Sequence, residues 1–165
     1  MHTDLQPFWE RAESLKTDIL AKADALSPSQ QNTAPKPGEW SVAQVVSHLV
    51  IAEQFVTGYG AAHVETLPAL ANPLVIRLVC NALAAGIALP APAITEPSPE
   101  PAPLPTLARE WQTERDKLQS LLNSAQPDTL YGVHPYFGTI TVRQTVEMLA
   151  AHTAYHYKRF PRLAR

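Results

Sequence analysis

The chain has 165 residues, 45% of them hydrophobic, and a formal net charge of -2. Those values suit one globular domain over residues 1–165 with a single core, and they supply no basic footprint for a nucleic acid. The lone Cys80 excludes an intramolecular disulfide framework and a thiolate cluster for zinc, so a reducing cytoplasm is the expected compartment.

The first residues, "MHTDLQPFWERAESL", turn charged at once and show no apolar signal-peptide core. Within "PFWERAESLKTDILAKADAL", Phe8, Ala12, Leu15, Ile19, Ala23 and Leu26 recur every three or four residues, which predicts an amphipathic helix over 7–26. A loop, "SPSQQNTAPKPG", follows. The second helix opens with "SVAQ": Ser41 caps the first turn and Gln44 reaches back, a capping box. Its apolar stripe is Val42, Val45, Val46, Leu49, Ala52 and Val56, and it ends near Gly58 and Gly60.

The next stretch, "LPALANPLVIRLVCNALAAGIALP" (67–90), is long and apolar enough to span a bilayer. Arg77 and Asn81 lie near its middle, where a central arginine costs about 2.5–3.5 kcal/mol on insertion. Pro73 interrupts it and no polybasic flank follows, so the expectation is a buried or interface helix and no membrane partner. Whether it serves as lid, core helix or dimer interface stays open at this level. Residues 90–105, "PAPAITEPSPEPAPLP", hold seven of the 16 prolines and read as an extended strap. A third helix, "TLAREWQTERDKLQSLL", carries Leu107, Trp111, Leu118, Leu121 and Leu122. The loop "NSAQPDTLYGVHPYFG" leads into a fourth helix opening with "TVRQ", where Thr141 and Gln144 repeat the capping box. Beyond a short extended piece around Tyr136–Ile140, no strand alternation is visible. The fold class is therefore all-α: a four-helix bundle with an extra apolar helix and a proline-rich crossover between its second and third helices. The long crossover permits parallel neighbours.

Two histidines stand one turn apart in "LAAHTAYHYKRF" (149–160). Their β-carbons lie roughly 5–6 Å apart on one helix face, close enough for one metal ion. The pair is a weak motif by itself. His48 sits at the edge of the second helix's apolar stripe, on the side of Phe55 and Tyr59, and His152 and His156 occupy the corresponding edge of the last helix. Three imidazoles with open coordination positions suit Zn, Ni, Fe or Mn and a reactive site. "HTAYH" lacks the glutamate of His-Glu-x-x-His, which argues against a zincin-type peptidase.

A Trp-Ser helix start followed by a histidine, then "HPYFGTITVRQ" and His-x-x-x-His on the last helix, resembles the DinB/YfiT-like superfamily over residues 37–56 and 134–160. The resemblance implies a four-helix bundle with a divalent metal on three histidines, which map onto His48, His152 and His156. Similar proteins include thiol-dependent S-transferases, a thiol-dependent isomerase and proteins described as metal-dependent hydrolases. Relatives commonly carry a glutamine three residues past the last histidine, where this chain has Arg159.

Two further residues are candidates for catalysis. Glu114 falls within the apolar stripe of the third helix, as a general base, an acceptor for a ligand histidine, or a partner of Arg109 or Lys117. Arg159 lies on the histidine edge, either binding an anionic group of a small-molecule substrate or standing free in solvent. Tyr59 is a candidate pocket residue, and His134 is assigned to holding its loop. Cys80 lacks a local activating group and reads as a small buried apolar residue. The ion would activate water, for hydrolysis, or a low-molecular-weight thiol, for S-transfer. The rival expectation is a non-catalytic metal- or ligand-binding bundle that works through a homodimer.

Overall fold

A computed structural model of the chain describes residues 1–61, 69–90 and 92–163, with backbone alone at 59–61 and 161–163. The described residues form α1 (Gln6–Asp24), α2 (Pro28–Asn32), α3 (Val42–Ala61), α4 (Pro73–Ala85), α5 (Leu104–Ser124) and α6 (Val142–Leu163). A hairpin of β1 (Leu130–His134) and β2 (Gly138–Thr141) precedes α6.

Local chemistry sets most boundaries. Both predicted capping boxes form. The Ser41 amide donates to Gln44 Oε1 at 2.9 Å while the Gln44 amide donates to Ser41 Oγ at 3.2 Å; Thr141 and Gln144 repeat this at 2.9 and 3.3 Å. The loop after α1 contains a third example. Ser27 and Gln30 close a capping box around Pro28, which makes the five-residue α2 where the sequence suggested only a loop. Asn72 caps α4 through Leu74, and Gly86 ends that helix at φ +89° with the amides of Gly86 and Ile87 on the carbonyls of Leu83 and Ala82, a Schellman arrangement.

The extended piece expected near 136–140 is one arm of an antiparallel hairpin whose other arm has no sequence signature of its own. Gly132 and a register shift between Leu130 and Gly132 break the alternation that would have announced it. Gly138, at φ +81°, closes the His-Pro-Tyr-Phe-Gly turn in a backbone region open to glycine. Thr139 exchanges main-chain bonds with Ala69 and Ala71, so the segment before α4 is sewn to the hairpin.

Two apolar clusters give the bundle's directions. One joins Ile19 and Ala23 to Val42–Leu49, Leu104, Leu107 and Phe160; the other joins Leu5 and Trp9 to Leu118, Leu122, Val142 and Val146. The starts of α3 and α5 therefore lie at one end with the finishes of α1 and α6. α1 runs parallel to α6, and α3 to α5, as the long crossover allows. The buried line of α1 is Trp9, Ala12, Lys16, Ile19 and Ala23, rotated from the expected stripe. Lys16 is inside because Glu13 and Gln112 take its ammonium at 3.2 and 2.7 Å.

The apolar segment becomes a covering helix. α4 lies on α6, with Leu83 against Ala151 and Tyr155 and Ile76 against Ile140. Its opposite side is solvent-facing, with Leu74 at 76% and Leu78 at 69% exposure. No helix among the described residues is long and apolar enough to cross a membrane.

Candidate metal centre

His48 on α3 and His152 and His156 on α6 converge. The Nε2 atoms of His48 and His152 stand 3.1 Å apart, and so do those of His152 and His156. One ligand nitrogen from each ring lies within 4.8 Å of the others. On α6 this follows from the four-residue spacing; His48 reaches them because the α3 stripe of Val42, Val46 and Leu49 packs into the same core.

The ring orientation of His48 comes from the proline-rich strap. A single 3₁₀ turn, Ala93–Thr95, ends with the Thr95 carbonyl 2.7 Å from His48 Nδ1. That acceptor puts the proton on Nδ1 and leaves Nε2 with a lone pair facing the other two rings, the tautomer a metal ligand needs. Gln44 of the capping box pins the strap by donating to the Ser98 carbonyl at 3.3 Å. Trp40 backs His48, its ring centroid 4.8 Å away.

The three rings are neutral bases. Burial pushes His152 down to about 3, assisted by His48 and His134, and holds His156 well below its ordinary value, assisted by His152, His48 and Arg159. Burial lowers His48 as well, against the opposing pull of the Thr95 carbonyl. Among the described residues no carboxylate pairs with these rings.

This donor set fits a cation. A single proton on His152 Nε2 can serve one neighbour, yet two nitrogens approach it equally. One ion would satisfy all three lone pairs. Three nitrogens at 2.0–2.1 Å from a tetrahedral ion stand about 3.3 Å apart; two of the separations here are 3.1 Å and all three nitrogens lie within 4.8 Å of one another.

The triad borders a cavity of about 600 Å³. Its walls are Val45, Ala52 and Phe55 of α3, Val79 and Leu83 of α4, and Met148, Leu149 and Tyr155 of α6. Pro90, Pro92 and Thr95 close one side and His134 and Phe137 of the hairpin turn another. His134 accepts the Tyr136 amide on Nδ1 at 3.2 Å and stacks on Phe137 at 4.6 Å. It holds its turn as the sequence suggested, and it also lines the cavity; burial pushes it down to about 4.

Arg159 is at the cavity too, its guanidinium donating to the Tyr155 hydroxyl and resting over that ring at 5.1 Å. Glu114 is not brought to the histidines. Its carboxylate takes the Thr57 hydroxyl at 2.5 Å and Lys117 at 2.7 Å, so the helix-edge pairing with Lys117 describes it, and its roles as general base or histidine acceptor have no geometric support. The side chain of Tyr59 lies outside the described residues. Sequence reasoning passed over Thr95, whose contribution is a backbone carbonyl. It also passed over Tyr155, although that residue's place between the two histidines was a usable signal.

The architecture and its largely buried triad define a helical bundle with a three-histidine cluster that could hold a metal ion. A family model described as the DinB superfamily matches residues 11–159, and the chain belongs to that superfamily. The match runs through the middle segment that the motifs alone did not reach. No curated protein and no solved structure matches the chain.

Proposed function

We propose that this chain is a metal-dependent enzyme acting on a small molecule, with one divalent transition ion (Zn, Ni, Fe or Mn) held by His48, His152 and His156. The observation that carries the reading is the convergence of three Nε2 atoms whose central pairs are 3.1 Å apart, with His48 set in the ligand tautomer by Thr95. An ion there supplies a Lewis acid that lowers the pKa of bound water to about 7 or holds a thiol as its thiolate. The chain's own residues do the rest. Thr95 orients His48, α4 and the strap cover the triad, and the apolar walls limit water around it.

Of the two activities, S-transfer using a low-molecular-weight thiol has the better support. The buried carboxylate on the cavity wall, Glu53, is committed to Arg115 at 2.6 and 2.8 Å and to Trp111 at 2.5 Å, so it is a poor base for activating water. A thiol starts from a free pKa of about 8.5 against about 15.7 for water, so it depends less on such a base.

Elemental analysis of protein purified without a metal-affinity tag is expected to find about one equivalent of a transition metal, lost in His156→Ala. Electrophile consumption that requires added thiol supports transfer; metal-dependent cleavage without thiol selects hydrolysis. No metal bound after addition of Zn, Ni or Mn overturns the centre.

A second reading is favoured by the exposed outer side of α4, where Leu74 and Leu78 are 76% and 69% exposed, and by Leu70 just before it at 67%. In it the bundle binds metal or ligand without turnover and acts as a homodimer through that face. Light scattering checks it: a monomer at micromolar concentration excludes the dimer.

A further inference from the structure

The cavity beside the triad has a chemical asymmetry. Its walls are largely aliphatic and aromatic, and Arg159 is the one lysine or arginine among its described lining residues. No ion pair engages Arg159 among the described residues. The guanidinium donates one N–H to the hydroxyl of Tyr155, a buried residue that also lines the cavity. Because the tyrosine oxygen is the acceptor in that bond, its own proton is left to donate, alongside the remaining guanidinium N–H groups. Together they form a charged fork plus a phenol, a donor set matched to a carboxylate. Arg159 follows His156 by three residues and His152 by seven, so it stands on the same face of α6 as the two ligands.

We infer that the cavity takes an amphipathic monoanion: an apolar body against Val79, Leu83, Phe55 and Met148, with one carboxylate-like group on Arg159 and Tyr155. The volume of about 600 Å³ falls in the range of small-molecule sites and accommodates a body of roughly 12–20 heavy atoms. Glu39 and Glu96 are the exposed carboxylates of the wall, so a second anionic group would meet like charge. This names the substrate class of the site proposed above, and it relies on that reading only for the claim that bound ligand lies beside a reactive centre.

Titration calorimetry with decanoate, decanol and acetate tests it, on chelator-treated protein and on protein loaded with Zn, for the native chain, Arg159→Gln and Tyr155→Phe. Decanoate is expected to bind chelator-treated native protein more tightly than either decanol or acetate. Arg159→Gln should weaken decanoate about 10–100-fold and leave decanol unchanged. Tyr155→Phe should cost about threefold to tenfold. Equal affinities for decanoate and decanol, or decanoate binding that survives Arg159→Gln, overturns the inference. So does decanoate binding that requires Zn, since the anchor is then the ion. Zn bound at one equivalent with no preference for decanoate sinks this inference and spares the metal centre. Arg159-dependent decanoate binding in a protein that takes up no metal does the reverse.

Discussion

Two buried polar clusters sit in this bundle, and they differ in whether they are complete. Between α1, α3 and α5, Glu53 takes Nε and Nη2 of Arg115 at 2.6 and 2.8 Å and the Trp111 indole N–H at 2.5 Å, while Glu13 takes Nη1 at 2.9 Å. Lys16 joins through Glu13 and Gln112. Opposite charges are matched and each carboxylate oxygen has a donor, so the cluster is closed. Between α3 and α6 the three imidazoles have a backbone carbonyl behind one ring and only each other in front. A closed network clamps helices together; an open set of converging lone pairs asks for something from outside.

The comparison can be broken most sharply from the closed side. Arg115→Ala leaves Glu53 buried without its counter-charge and is expected to cost about 3–5 kcal/mol in urea denaturation. The double change Glu53→Met with Arg115→Met should cost much less, because both buried charges leave together. Stability near native in Arg115→Ala would end the claim that this cluster clamps the fold.

The open side should respond to ligand instead. Native protein with free Zn at about a hundred times its dissociation constant is expected to gain about 2.7 kcal/mol, and His152→Ala to gain nothing. Next comes the strap. Replacing residues 92–96 with Gly-Ser sequence loosens the 3₁₀ turn that holds the residue-95 carbonyl at His48 and should lower metal affinity about 10–100-fold, read by competition with a chelating dye.

Acid probes the same contrast. The folded His152 stays neutral down to about 3, while in the unfolded chain it titrates near 6.5, so below that value the unfolded state binds the extra proton. Metal-free protein should therefore lose stability as the pH falls from 6.5 toward 3, by about 1–2 kcal/mol for His152 at pH 5. The ring is not fully shielded from solvent, which favours the lower figure. His152→Gln should flatten this slope; an unchanged slope would mean that the ring is not held neutral by the fold. The smallest effect belongs to neither cluster. Ser41→Ala removes a cap and is expected to cost about 1 kcal/mol without changing metal stoichiometry.

Much of the helical frame was legible because its signals are local. The capping boxes at Ser41 and Thr141 mark the starts of α3 and α6 to within a residue, since a side chain bonding an amide three residues on needs no tertiary help. The same signature at Ser27 was present and was overshadowed by the polar loop around it. The hairpin was half legible, since Gly132 and the bulge erase the period of two. Periodicity on α1 pointed to a stripe that includes Phe8 and Leu15, whereas Lys16 took an inward position once Glu13 and Gln112 could reach it from two elements.

The candidate site divides along the same line. The His152–His156 pair follows from helix geometry and His48 stands at the edge of an amphipathic stripe, so the sequence by itself singled out the three imidazoles, and the packing of α3 against α6 brought them together. The sequence also placed a cation, Arg159, on the face of α6 that carries His152 and His156. Only the tertiary structure decided that Glu114 belongs to Thr57 and Lys117, because a carboxylate's partner depends on which helix lies across from it. Likewise it decided that a proline-rich strap, extended and without helical signal, would bring one backbone carbonyl to His48. A main-chain acceptor has the same chemistry at every residue, so its position is written in the fold and not in the side chains.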